Sequence, residues 1–142
     1  LPLALNVKAD VLQTMVAELL QRFEVPDAFV FDMSIPDTLG WLNAGVPVFT
    51  RMSDFEPDPV LADRCAGIWL DAFESDWWDA ATVERQIASG RRVCIVSPEL
   101  HKREHIPVWE RLADAGDLIA TDDVMLCTDF PEAAKEFFGS GN

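Results

Sequence analysis

Lys8, Asp32, Arg51, Asp71, Glu99 and Asp129 each lie at, or within two residues of, the end of a short apolar run. Other polar groups crowd the same places: Asn6, Ser34, Thr50, Ser53, Glu74, Ser97, His101 and Thr128. All six runs end this way, with two cations among the endings. If the runs are parallel strands, these groups share the carboxyl edge of a sheet, which is where α/β folds bind ligands. Loops are polar in any case, so a few such endings would carry no meaning; the uniformity favours a site. Lys8 and Arg51 are candidate anion-binding groups, because a charge beside a buried strand needs a partner. A phosphate would serve, and so would a neighbouring carboxylate such as Asp32 or Asp71 in a structural ion pair. Asp32, Asp71 and Asp129 offer hard oxygens to a divalent cation, although their spacing resembles no dedicated metal loop.

His101-Lys102-Arg103-Glu104-His105 is the one local basic cluster. It reads either as a loop that brings positive charge or a proton donor to the site, or as a solvated lead into a helix. Trp77 and Trp78 are adjacent, so one is expected at a pocket mouth or over a helix start. No Ser-His-Asp or Cys-His arrangement is readable, and the 7 glycines are scattered singly, which gives no phosphate-cradling loop.

The elements that would position these groups alternate. Strands are expected at Leu3–Val7, Ala28–Asp32, Val46–Thr50, Gly67–Asp71, Arg92–Ser97 and Val124–Thr128. They are apolar at nearly every position, as strands buried on both faces are. Between them, Val11–Phe23 places Leu12, Met15, Val16, Leu19, Leu20 and Phe23 at helical spacing. Further helices are expected at Ile35–Ala44, Asp58–Ala66, Asp79–Ser89, Ile106–Ala115 and Pro131–Phe138, with proline near several starts and glycine after most ends. Leu118–Asp122 fits a short strand or a connection. Six β/α repeats without a linker form a single domain, as either an open doubly wound sheet or part of a (β/α)8 barrel. A complete barrel takes about 250 residues; this chain has 142.

Charge and composition narrow the function. Of 142 residues, 49% are hydrophobic, and 11 basic against 25 acidic side chains give a net charge of −14 and a pI near 4.3. Such a field repels a phosphate backbone, which argues against nucleic-acid binding. A small anionic substrate would need a local cation or a metal. No apolar run approaches the ~20 residues needed to span a bilayer. Cys65, Cys94 and Cys127 are odd in number and lack metal-type spacing, which suits a reducing cytoplasm. The chain opens at Leu1 and is at once strand-like, so a trimmed or partial barrel is expected.

Leu5-Asn6-Val7-Lys8, Phe29-Val30-Phe31-Asp32-Met33-Ser34 and Leu126-Cys127-Thr128-Asp129-Phe130-Pro131, in this order, resemble the later strands of glycerophosphodiester phosphodiesterase-like barrels. These belong to the phosphatidylinositol phospholipase C-like superfamily. The family's third strand carries an E-x-K motif and its last strand ends in T-D-x-P. Lys8 matches the lysine and Thr128-Asp129-Phe130-Pro131 the closing motif, while Asn6 stands where a metal-binding carboxylate is expected. The resemblance implies strands three to eight of the barrel, without the family's catalytic histidines; His101 and His105 do not match those positions. It also implies metal-assisted hydrolysis of a small phosphodiester, with Mg²⁺ or Ca²⁺ as cofactor. Asn6 would lie at the metal edge, Lys8 would bind the phosphate, and Arg51, Asp32, Asp71 and Glu99 would line the barrel mouth. On this reading the chain is inactive by itself and self-associates through its open edges. The rival is a non-catalytic α/β binding or regulatory domain of receiver-like form, although the acidic pair Asp122-Asp123 falls late rather than after the first strand.

Overall fold

A computed structural model describes residues 2–119 and 121–139. Six strands run β1 (Leu3–Leu5), β2 (Ala28–Phe31), β3 (Val48–Met52), β4 (Gly67–Leu70), β5 (Arg92–Val96) and β6 (Val124–Cys127). They lie in sequence order in one sheet, every neighbouring pair parallel. The sheet curls through 243° into an open half-barrel. The expected α/β class and all six parallel strands are therefore present, each within two residues of its expected start.

Side chains alternate between the two faces of the sheet, as strand geometry requires. Phe29, Phe31, Phe49, Trp69, Cys94 and Val96 pack together on the concave face. There Phe29 stacks on Phe49 with centroids 3.8 Å apart, and Phe31 on Trp69 at 3.7 Å. Gly67 makes room for this stack: a Cβ there would lie 2.5 Å from the Phe49 ring and 2.7 Å from the Arg92 carbonyl. On the convex face, Ile68, Leu70, Val93 and Ile95 meet Val83, Val108 and Leu112, while Val30 and Val48 meet Trp41.

The helices that supply those partners are α1 (Gln13–Arg22), α2 (Ile35–Asn43), α3 (Ala80–Ala88), α4 (Ile106–Asp114), α5 (Gly116–Ile119) and α6 (Pro131–Gly139). Ser34 and Asp79 cap α2 and α3 by accepting N–H bonds from Asp37 and Thr82. One expected helix needs correction. The helix expected at Asp58–Ala66 is a single 3₁₀ turn, Ala62–Arg64. Pro57 and Pro59 withhold two N–H donors, and Leu61 takes a left-handed φ of 66° that breaks any α-helix. Leu118–Asp122 holds no strand in its described part: Leu118 and Ile119 close α5, and the chain then turns into β6. Of the two places expected for them, Trp77 and Trp78 take the one beside a helix start, directly before the Asp79 cap of α3. Trp78 is core, and Trp77 packs on the same cluster with its indole N–H donated to the Asp71 carbonyl at 2.8 Å.

Candidate functional site at the carboxyl edge

Parallel strands all end on the same side, so the loops after β1 to β6 share one rim. Their polar groups form three separate networks rather than one. The first joins the loops after β1, β2 and β3. Arg51 Nη1 lies 2.9 Å from Asp32 Oδ1, Lys8 Nζ lies 3.4 Å from Asp32 Oδ2, and Arg51 Nη2 lies 3.3 Å from Glu56 Oε2. Asp32 reaches both cations from a left-handed backbone, φ 60°, a conformation that Asp tolerates better than most residues. Of the partners open to Lys8 and Arg51 in the sequence, the carboxylate is the one in place. The bond to Lys8 is nonetheless weak. Its side chain is 70% exposed, and exposed pairs of this kind contribute ~0–1 kcal/mol.

Arg51 is not fully satisfied: its Nε is buried without a hydrogen-bond partner among the described residues. Arg51 also lines a cleft of about 510 Å³ with Ser53, Phe55, Phe73 and Glu74. The floor of this cleft is braced by Asp54, whose carboxylate accepts the N–H groups of Phe73, Glu74 and Ser75. Burial pushes the Asp54 pKa up, but these backbone donors outweigh it and hold the carboxyl below its usual range.

The second network is Asp71 with His101. Asp71 is 5% exposed and its Oδ1 accepts the Ala72 N–H at 2.8 Å, with His101 Nε2 2.6 Å away. Arg103 fastens the same loop by donating to the Ala72 carbonyl at 2.8 Å and pairing with Asp76. The basic cluster therefore lies over the carboxyl edge, with Arg103 tied down by local partners. His105 is different, for it packs on Trp109 and Phe130.

The third network is centred on Glu99. It accepts from Ser97 and Thr128 hydroxyls and from the Asp129 N–H, while buried Ser97 also receives the Trp109 indole N–H at 2.8 Å. Burial raises the Glu99 pKa, yet the two hydroxyls and the backbone donors override it and leave it lowered. Both carboxylate oxygens accept from the fold itself, so Glu99 reads as a tie between β5 and β6. Asp129 is exposed beside it, and Asn6 is exposed just past β1.

A divalent cation requires several oxygen donors. Among the described residues no three His, Cys, Asp or Glu side chains assemble into such a set, and Asp32 already faces two cationic side chains. These residues alone do not fit a bound cation, and no step below is routed through one. Sequence reasoning missed Phe55 and Glu56, which a turn at Ser53–Glu56 folds back towards Arg51, and Phe73, which reaches the same cleft from the loop after β4. No local signal marks that turn apart from Pro57.

Comparison with protein-family profiles, with curated proteins and with solved structures finds no match to this chain. Among the described residues no helix is long and apolar enough to cross a membrane.

Proposed function

We propose that this half-barrel belongs to a metal-dependent phosphodiester hydrolase of the glycerophosphodiester phosphodiesterase-like class, with its carboxyl edge as the substrate-binding rim. One observation carries the reading: Lys8 and Arg51 converge at that edge, and Arg51 holds a buried, unpaired Nε beside an open cleft. A phosphodiester in the cleft would meet the exposed part of the Arg51 guanidinium, whose side chain is 37% accessible. Displacing the exposed Lys8–Asp32 contact costs little, so Lys8 can turn to the same phosphate. Asp71 and Glu99 hold the neighbouring loops. The divalent metal of this class, Mg²⁺ or Ca²⁺, would draw on Asn6 and on donors supplied by a complete barrel, in which these are strands three to eight.

The test is turnover of a glycerophosphodiester with Mg²⁺ or Ca²⁺ by a protein carrying the whole barrel. Loss of a charge-assisted hydrogen bond worth ~1.5–3 kcal/mol predicts that Lys8→Ala lowers the rate roughly 10- to 150-fold. Asn6→Asp should tighten metal binding in calorimetry, since hard cations favour charged oxygen. Full activity in Lys8→Ala with unchanged metal affinity in Asn6→Asp would remove the reading.

A second reading has its own support. Both cations already face carboxylates, and no three-donor set forms among the described residues. These features suit a non-catalytic α/β binding or regulatory domain, in which the rim binds an anion and turns nothing over.

A further inference from the structure

The Asp71–His101 pair is separate from the Lys8–Asp32–Arg51 network, and the sequence did not show that these two residues meet. We propose that His101 is a proton-transfer residue of the carboxyl edge, oriented by Asp71. The substrate in this proposal rests on the phosphodiester reading; the geometry of the pair does not.

Four observations point to it. Asp71 is a buried carboxylate aimed by a backbone bond: its Oδ1 accepts the Ala72 N–H at 2.8 Å and faces His101 Nε2 at 2.6 Å. A carboxylate can only accept, so Nε2 is the donor of this pair, which leaves Nδ1 as the nitrogen that can exchange a proton with a ligand. The loop does not need His101 as a latch. Arg103 already ties it to Ala72 and Asp76, and the Lys102 and Arg103 N–H groups close the turn on Glu99 and Pro98. Finally, the His101 ring rests on Phe73 with centroids 4.8 Å apart, and Phe73 is a wall of the cleft that Arg51 lines. The imidazole therefore lies one ring beyond the wall of that cleft. His105, set edge-on to Trp109 and tilted against Phe130, has two aromatic neighbours and no buried carboxylate.

The step is balanced. His101 Nδ1 takes a proton from water as the water oxygen bonds to phosphorus. The P–O bond to the leaving alcohol breaks, and the alkoxide takes its proton from solvent or from the imidazolium so formed. An oriented imidazole contributes ~10²- to 10⁴-fold in such a role.

Two measurements test the pair. Long-range ¹⁵N correlation NMR on this chain should show His101 as the Nε2–H tautomer, and Asp71→Asn should move the proton to Nδ1, because the amide can donate to Nε2. Turnover of bis(4-nitrophenyl) phosphate by the whole barrel should fall at least ~100-fold in kcat in both His101→Gln and His101→Asn, with KM changed far less. Either amide can keep a bond to Asp71, and melting curves verify the fold. Lys102→Ala should leave turnover unchanged. A wild-type Nδ1–H tautomer, a tautomer insensitive to Asp71→Asn, or kcat within about twofold in folded His101 variants overturns the proposal. Absence of turnover in the wild type overturns the phosphodiester reading instead, and the pair is then judged on the tautomer alone.

Discussion

Glu99 shows how a carboxylate in a candidate site can belong to the fold. Its oxygens take hydrogen bonds from Ser97, Thr128 and Asp129, which come from the ends of β5 and β6. Its pKa in the folded protein lies below the ordinary 4.5 because those donors outweigh burial. A lowered pKa stabilises the fold at pH values above the unfolded pKa, and the benefit disappears as pH falls through the folded one. The melting temperature of the wild type should therefore exceed that of Glu99→Gln near neutrality, and the gap should close on acidification below about pH 4.5. Parallel melting curves across that range would show that the network does not depend on the charge. The cysteines are a contrasting case. Burial pushes Cys94 up to about 12, and Cys65 and Cys127 are raised for the same reason. Since only the thiolate is nucleophilic, native Cys94 should resist alkylation at neutral pH and react once the chain is unfolded. Fast labelling of the native thiol would contradict its burial.

Among the elements, β4 is the most demanding. Trp69 and Gly67 face the concave side, and the Phe49 ring fills the space over Gly67. Gly67→Ala forces a methyl against that ring and the Arg92 carbonyl. Overpacking of this kind costs ~1–3 kcal/mol, so the melting temperature should drop by several degrees and Phe49→Val should recover part of it. An unchanged melting curve would mean that the stack is looser than described. The same elements show what the sequence discloses. Strands buried on both faces leave continuous apolar runs, which is why all six were legible, and the amphipathic spacing of α1 and the Pro and Gly punctuation of α2 were equally plain. The run from Asp58 to Ala66 has apolar residues at helical spacing, but Leu61 takes a left-handed φ that ends any α-helix there, and no local pattern carries that. At the site, the carboxyl-edge position of Lys8, Asp32, Arg51, Asp71 and Glu99 followed from strand order. Their division into three networks did not, because pairing depends on loop conformations such as the Ser53–Glu56 turn and the left-handed Asp32.

At the scale of the molecule, a sheet curled through 243° leaves roughly a third of a barrel open between β1 and β6. That gap exposes strand edges with unpaired backbone groups, and an apolar cavity of about 300 Å³ lined by Ala4, Phe29, Trp69, Met125 and Cys127. Leu3 on β1 and Met15, Leu19 and Phe23 on and beside α1 add exposed apolar surface. Open edges and apolar patches recruit partners, so these 142 residues expressed alone should self-associate with rising concentration in sedimentation velocity. A monodisperse, cooperatively melting monomer would count against an open barrel in solution. The anion-binding rim is the central claim, and it stands in a chain whose net charge of −14 disfavours anions as a whole. The most direct measurement is calorimetric titration of a glycerophosphodiester into the protein at low and high salt. The account predicts saturable binding that weakens with salt and falls at least tenfold, about 1.4 kcal/mol, in Arg51→Ala and in Lys8→Ala. Binding that is absent, or that both variants retain in full, would contradict it.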